Sequence, residues 1–146
     1  MIYLDNGATS FPKPLSVRQN VDISLKKFSA NPGRSGHSLS LRAAKEIFEC
    51  RKRLKEFFNV NSEEEIIFTE NCTMALNTVI FGLLSEGDHV LISSMEHNSV
   101  TRPLESLKDK GVTYSTFDYS YDDNATVDNV RNLINPAPRL VICTHA

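Results

Sequence analysis

From residue 65 onward the sequence alternates short apolar runs with helix-forming runs, and that alternation leaves very few folds open. Glu65-Ile66-Ile67-Phe68 reads as a strand, residues 73–84 as a helix and Gly87-Asp88 as a turn. His89-Val90-Leu91-Ile92-Ser93 is a second strand, followed by a helix over 99–110 that Gly111 stops. A third strand spans 112–117, a short helix closed by Pro136 spans 126–134, and Leu140-Val141-Ile142-Cys143 is a fourth strand. Strands separated by helices need crossover connections, which gives an α/β fold with a mainly parallel sheet and flanking helices. Such sheets take their ligands beyond the carboxyl ends of the strands.

The first 60 residues follow a different pattern. Phe11-Pro12-Lys13-Pro14 imposes extended backbone, because a residue before proline avoids the helical region. Val17, Val21, Leu25 and Phe28 then recur at the spacing of one helix face. Ala30-Asn31-Pro32-Gly33-Arg34-Ser35-Gly36-His37 interrupts with a shaped loop. A longer helix is expected from about Ser40, with Leu41, Ala44, Ile47, Cys50, Leu54 and Phe57 as its buried stripe, fading at Asn59-Val60-Asn61. The expected organisation is an N-terminal arm and two helices over 1–60, then the first βα units of a larger domain over 61–146. The sequence stops just after a strand end, so a longer parent polypeptide is expected to continue past Ala146.

Composition excludes several classes. With 40% apolar and 23% charged residues the chain suits a packed globular fold. A formal charge of −2 offers no electrostatic footprint for nucleic acid. The opening Met1-Ile2-Tyr3-Leu4-Asp5 has no basic, then apolar, targeting pattern, and no window nears the roughly 20 apolar residues that span a bilayer. The chain therefore reads as cytoplasmic, with no membrane partner. Cys50, Cys72 and Cys143 lack metal-site or disulfide spacing, so no metal is expected, and Cys50 and Cys143 are expected to pack in the core.

Two strand ends carry residues suited to chemistry. Phe68-Thr69-Glu70-Asn71-Cys72-Thr73 joins a strand to a helix, with Asn71 or Thr73 available as cap; free N–H groups there can hold a phosphate or simply begin an ordinary capped helix. No GxGxxG and no Walker lysine lie nearby. At the next strand end stands Met95-Glu96-His97-Asn98, where the His97 imidazole can stack on a flat cofactor or move a proton. Alternatively, His97 or Glu96 caps the helix that starts near Ser99.

These segments together resemble the class V branch of the fold-type I pyridoxal-phosphate enzymes, and within it the cysteine desulfurase and selenocysteine lyase group. Tyr3-Leu4-Asp5-Asn6-Gly7-Ala8-Thr9 is similar to that family's opening signature, and residues 31–37 to its Arg-x-Gly-His loop. Residues 68–77 resemble its phosphate-binding turn, and Ile92-Ser93-Ser94-Met95-Glu96-His97-Asn98-Ser99 its ring-stacking histidine segment. Val141-Ile142-Cys143-Thr144-His145 resembles the strand before its active-site Ser-Asn loop.

The resemblance implies the N-terminal half of a fold-type I large domain, incomplete here. It implies pyridoxal 5'-phosphate as cofactor, held by Asn71, Cys72 and Thr73, with His97 against the ring. Many relatives have Gly-Thr-Thr where this chain has Asn71-Cys72-Thr73, so one hydroxyl contact is lost. Asn6, Gly7 and Ala8 would border the substrate end, with Arg34 and His37 near; Arg34 serves equally well as a loop brace. Asn77 is read as structural. The substrate implied is cysteine or selenocysteine, cleaved to alanine, and the expected assembly is a homodimer or other homo-oligomer.

In that family the Schiff-base lysine, the acidic partner of the pyridine nitrogen and the nucleophilic cysteine all lie later in the chain. Lys45, Lys52 and Lys55 are helix-surface residues by spacing and cannot replace the lysine. The isolated chain is therefore expected to be inactive, with no covalent cofactor. The family also pairs the strand at 65–68 with one from late in the chain, so here it would lack a partner, and oligomer contacts or local rearrangement with a loosely held phosphate site are expected. Another class V activity, such as an aminotransferase or epimerase, would share these motifs, and a non-enzymatic domain binding an anion or a partner protein remains the alternative of a different kind.

Overall fold

Leu91 is completely buried although its neighbours Val90 and Ile92 are buried on the opposite face, and this double burial marks the central strand of the fold. The computed structural model describes residues 2–7, 9–33 and 36–144. The chain divides into two compact units, residues 1–68 and 69–146.

The second unit holds the sheet. Strands β1 (His89–Ser93), β2 (Thr113–Phe117) and β3 (Leu140–Ile142) lie in the order β2-β1-β3 and are all parallel. Register pairs Val90 with Tyr114 and Leu140, and Ile92 with Ile142, so all five side chains share a face. Helices α3 (Cys72–Leu83) and α4 (Asn98–Leu107) bring Ile80, Val100, Leu104 and Leu107 onto that face, and these form the core with Val90, Ile92 and Val112. Helix α5 (Asp123–Leu133) packs on β2. The other face is barely covered at β3, where Val141 is 47% exposed.

Turn chemistry sets where these elements stop. Gly111 ends the turn after α4 at φ 83°, where a glycine meets no steric penalty, and its carbonyl accepts from the Gly87 N–H at 3.1 Å. Asp88 Oδ2 accepts from the Ser85 N–H at 2.8 Å and holds the turn into β1.

The first unit contains α1 (Leu15–Lys27) and α2 (Ser38–Phe58). Asn59 ends α2 in the left-handed conformation at φ 52°, which asparagine tolerates better than most residues. Both helices form where periodicity places them, yet their apolar faces stay open. No residue of α1 is buried, and Val17, Val21 and Leu25 are all exposed. In α2 only Ser40 and Ala43 are buried, while Leu41, Ile47, Cys50 and Phe57 are exposed. The expected stripe exists as a face, but most of it is left exposed among the described residues.

Two further expectations are corrected. The run 65–68 is not a strand: Glu63–Glu65 form a single 3-10 turn, and Ile66–Phe68 is irregular, with Ile67 79% exposed. A strand needs a neighbour for its N–H and C=O groups, and here a side chain takes that part. Arg51 Nε donates to the Ile66 carbonyl at 3.1 Å, and its guanidinium lies 5.6 Å from the Phe68 ring centroid. Cys143 is exposed beyond the end of β3 rather than packed in the core.

Candidate functional site

Asn71 starts α3. Its extended backbone cannot continue the helix, and its Oδ1 accepts from the Met74 N–H at 2.8 Å. The N–H groups of Cys72 and Thr73 have no acceptor among the described residues. No acidic residue occupies the first turn, so those two donors and the positive end of the helix dipole stay available.

His97 starts α4 in the same way. Its Nδ1 accepts from the Ser99 N–H at 3.1 Å and lies 3.0 Å from Ser99 Oγ, while its carbonyl accepts from the Val100 N–H at 2.8 Å. An Nδ1 that accepts places the proton of a neutral ring on Nε2. The cap and a functional ring are thus compatible, because capping uses one ring nitrogen and leaves the other nitrogen and both ring faces free.

Thr73 and His97 line one cavity of about 410 Å³ that runs along α3 and α4. Thr73, Asn77 and Phe81 form its wall on α3, at steps of four residues. On α4 the wall is His97, Ser99, Arg102 and Ser106. Arg102 makes no ion pair among the described residues. Asn77 Oδ1 is buried without a hydrogen-bond partner, an arrangement that costs about 1–3 kcal/mol unless something donates to it. Asn71 and Cys72 stand at the helix start and are not lining residues.

Asn77, read from the sequence as more structural than chemical, lines this cavity with its side-chain oxygen buried. Sequence reasoning also passed over Arg102 and Ser106. The signal available was polar residues at helix spacing, Thr73 to Asn77 on α3 and Ser99, Arg102 and Ser106 on α4, beside stripes that are otherwise apolar.

The remaining candidates belong to the first unit or lie outside the described residues. Asn6 Oδ1 accepts from the Phe11 N–H at 3.1 Å, next to Gly7 in a turn. His37 caps α2, its Nδ1 accepting from the Ser40 N–H at 3.2 Å. Ala8 and Arg34 lie outside the described residues. Lys52 and Lys55 are engaged with Glu49 at 3.2 Å and Glu63 at 3.5 Å, and no lysine lines the cavity. Among the described residues no cluster of three or more potential metal ligands occurs, and no helix is long and apolar enough to cross a membrane.

A parallel sheet flanked by helices, with α4 starting just beyond the end of β1, is an α/β fold of the kind that takes its ligands at strand ends. The family model of the class-V aminotransferases matches residues 2–146, and the chain belongs to that family. A probable cysteine desulfurase of Methanothermobacter thermautotrophicus is 35% identical over 147 residues, covering 99% of this chain and 36% of that protein. A probable cysteine desulfurase of Halalkalibacterium halodurans is 31% identical, over 99% of this chain and 37% of its own length. Among solved structures, the apo cysteine desulfurase of Thermococcus onnurineus NA1 superposes with a TM-score of 0.84 at 30% identity, covering 99% of this chain and 36% of that one. The cystine C–S lyase C-DES, in complex with its product cysteine persulfide, matches with a TM-score of 0.67 at 26% identity over 90% of this chain and 34% of that one. The chain thus spans little more than a third of the length of these relatives.

Proposed function

We propose that this chain forms the first part of a pyridoxal-phosphate-dependent cysteine desulfurase-like enzyme, and that the cavity between α3 and α4 opens onto its cofactor site. One observation carries the reading: Thr73 and His97 line a single cavity beside two free amides at a helix start. The donor set suits the cofactor. The Cys72 and Thr73 N–H groups and the Thr73 hydroxyl would hold the phosphate, with the unpaired Arg102 adding positive charge. His97, fixed through Nδ1, would lie against the pyridine ring with its Nε2 proton outward. A ring hydroxyl or an ordered water would donate to Asn77 Oδ1 and remove the cost of its isolation.

When bound, pyridoxal phosphate supplies an electron sink that lets bonds at the amino-acid α-carbon or β-carbon break. The residues of this chain orient and neutralise; among the described residues none that lines the cavity carries an amine that would tether the cofactor. The likeness to cysteine desulfurases supports cysteine as substrate of the whole enzyme; selenocysteine as a second substrate, and alanine as product, are proposed from the motif resemblance. Asn6, Gly7, Ala8, Arg34 and His37 are proposed for the substrate side, and the chain by itself is proposed to be inactive.

The test is the full-length protein, supplied with pyridoxal phosphate and cysteine. With a thiol reductant present to discharge the sulfur from its persulfide, release of sulfide and alanine in equal amounts is the expected result. Transfer of the amino group to an oxo acid would move the protein to another class V activity. The chain alone, treated with pyridoxal phosphate and borohydride, should retain no site-specific covalent adduct; one adduct per chain at a defined residue would overturn the proposed inertness.

A further inference from the structure

The ends of all three strands are tied together by hydrogen bonds that run through the Glu96 carboxylate and the backbone of Thr144. Glu96 lies three residues past β1, and its Oε1 accepts from the hydroxyl of Ser93, 1% exposed, at 2.5 Å. The same oxygen accepts from the Thr144 N–H at 2.7 Å, and Oε2 accepts from the Thr144 hydroxyl at 3.1 Å. The Thr144 carbonyl in turn accepts from the Tyr119 phenol at 2.8 Å, two residues beyond β2. Because β1 lies between β2 and β3, these bonds bridge two strands that do not touch each other. Thr144 is past the last ladder pair, Ile92 with Ile142, so no strand hydrogen bond holds it there.

Hydrogen bonds to an ionised acceptor are about twice as strong as neutral ones, and the Glu96 carboxylate accepts three of them, one from Ser93 and two from Thr144. The next residue is His97, whose ring and carbonyl are committed to the start of α4. One dipeptide is therefore fastened on one side to the exit of β3 and on the other to the helix that walls the cavity.

We infer that Glu96 is a positioning residue: its carboxylate locks the β3 exit against β1 and so fixes the His97 imidazole relative to the cavity. The inference rests on the reading of that cavity as a pyridoxal-phosphate site. A Glu96 that only braced a loop would change stability without changing His97, and the two cases separate experimentally.

The chain would be compared with Glu96→Ala and Glu96→Gln by ¹⁵N NMR of the His97 ring and by titration with pyridoxine 5'-phosphate, which lacks the aldehyde that labels surface lysines. Glu96→Ala removes all three bonds. Glu96→Gln keeps an oxygen for the Thr144 N–H and an amide that the Thr144 hydroxyl can accept. The expected result is a shift of the His97 Nδ1 and Thr144 amide resonances and about a tenfold weaker dissociation constant in Glu96→Ala, with Glu96→Gln within about threefold of the wild type. Should Glu96→Ala fail to fold, Tyr119→Phe removes only the second tie and is expected to shift the same resonances by less. Unchanged His97 resonances and affinity in folded Glu96→Ala would overturn the inference alone. A wild-type chain with no affinity for the probe would overturn the cofactor reading and with it the assignment of Glu96 to that site.

Discussion

The Asn71 carboxamide accepts the Met74 N–H at 2.8 Å and leaves the two preceding amides unused. A cap that satisfies the third helical N–H and spares the first two is the geometry an anion needs at a helix start. Asn71→Ala removes the cap, and such losses cost about 0.5–2 kcal/mol. Urea unfolding of the two chains should show a lower midpoint for the variant with unchanged slope. The variant should also bind pyridoxine 5'-phosphate more weakly, because a frayed first turn no longer aims its amides. Equal midpoints would mean that Asn71 Oδ1 is not the working cap.

Cys72 supplies a second check, chemical rather than energetic. Its thiol is exposed at the first position of α3, and Cys50 and Cys143 are exposed as well. An anion seated on the Cys72 and Thr73 amides would stand beside that thiol and shield it. Saturating pyridoxine 5'-phosphate should slow alkylation of Cys72 by several-fold while Cys50 reacts at its former rate, read by mass spectrometry of the digested chain. Equal slowing of both thiols, or of neither, would count against a phosphate seat at this turn.

How far the sequence discloses this arrangement depends on the distance over which each feature is decided. The helix start at Asn71 and the strand His89–Ser93 rest on local chemistry, a capping side chain and an apolar run buried on both faces, and both are legible. The run 65–68 has equally strand-like residues, but a strand is a relation to a partner, and its carbonyl instead meets Arg51. The periodicity of Val17, Val21 and Leu25 discloses a face and says nothing about what covers it. The tie between Glu96 and Thr144 spans 48 residues, and no local pattern encodes it. Asn77 shows the same limit in a cavity wall, where burial without a partner appears only once the two helices lie side by side.

Gly111 tests the turn chemistry that positions β2. Its φ is 83°, and a Cβ built there would lie 2.8 Å from Glu86 Cγ. The left-handed backbone costs a residue with a Cβ about 1–2 kcal/mol. The Glu86 contact adds little, since a flexible side chain can turn aside. Gly111→Ala should therefore lower stability by about 1–2 kcal/mol, measured by urea unfolding. Gly82→Ala serves as the control, because its added Cβ meets nothing within 4 Å inside a helix. A loss at Gly111 no larger than at Gly82 would remove the strain argument.

The outer face of α4 gives a prediction in pH. The Tyr114 hydroxyl donates to Glu105 Oε1, and Lys108 Nζ donates to the same oxygen at 2.9 Å. The tyrosine bond first, then the lysine bond, hold the Glu105 carboxyl below its ordinary value, and Glu105 in turn raises the Tyr114 phenol. A carboxyl lowered on folding contributes stability that is present above its unfolded value and lost as pH falls through the folded one. A phenol raised on folding contributes stability that is present below its unfolded value and lost as pH rises through the folded one. Tyr114→Phe should therefore move the Glu105 titration, followed by ¹³C NMR, back toward the ordinary carboxylate range. The stability gap between wild type and variant should be widest near neutrality and close toward both extremes. Because Glu105 is on the surface the gap is small, and added salt should narrow the Lys108 contribution while sparing the tyrosine hydrogen bond. A Glu105 titration unmoved by Tyr114→Phe would show that the lysine alone holds the carboxylate.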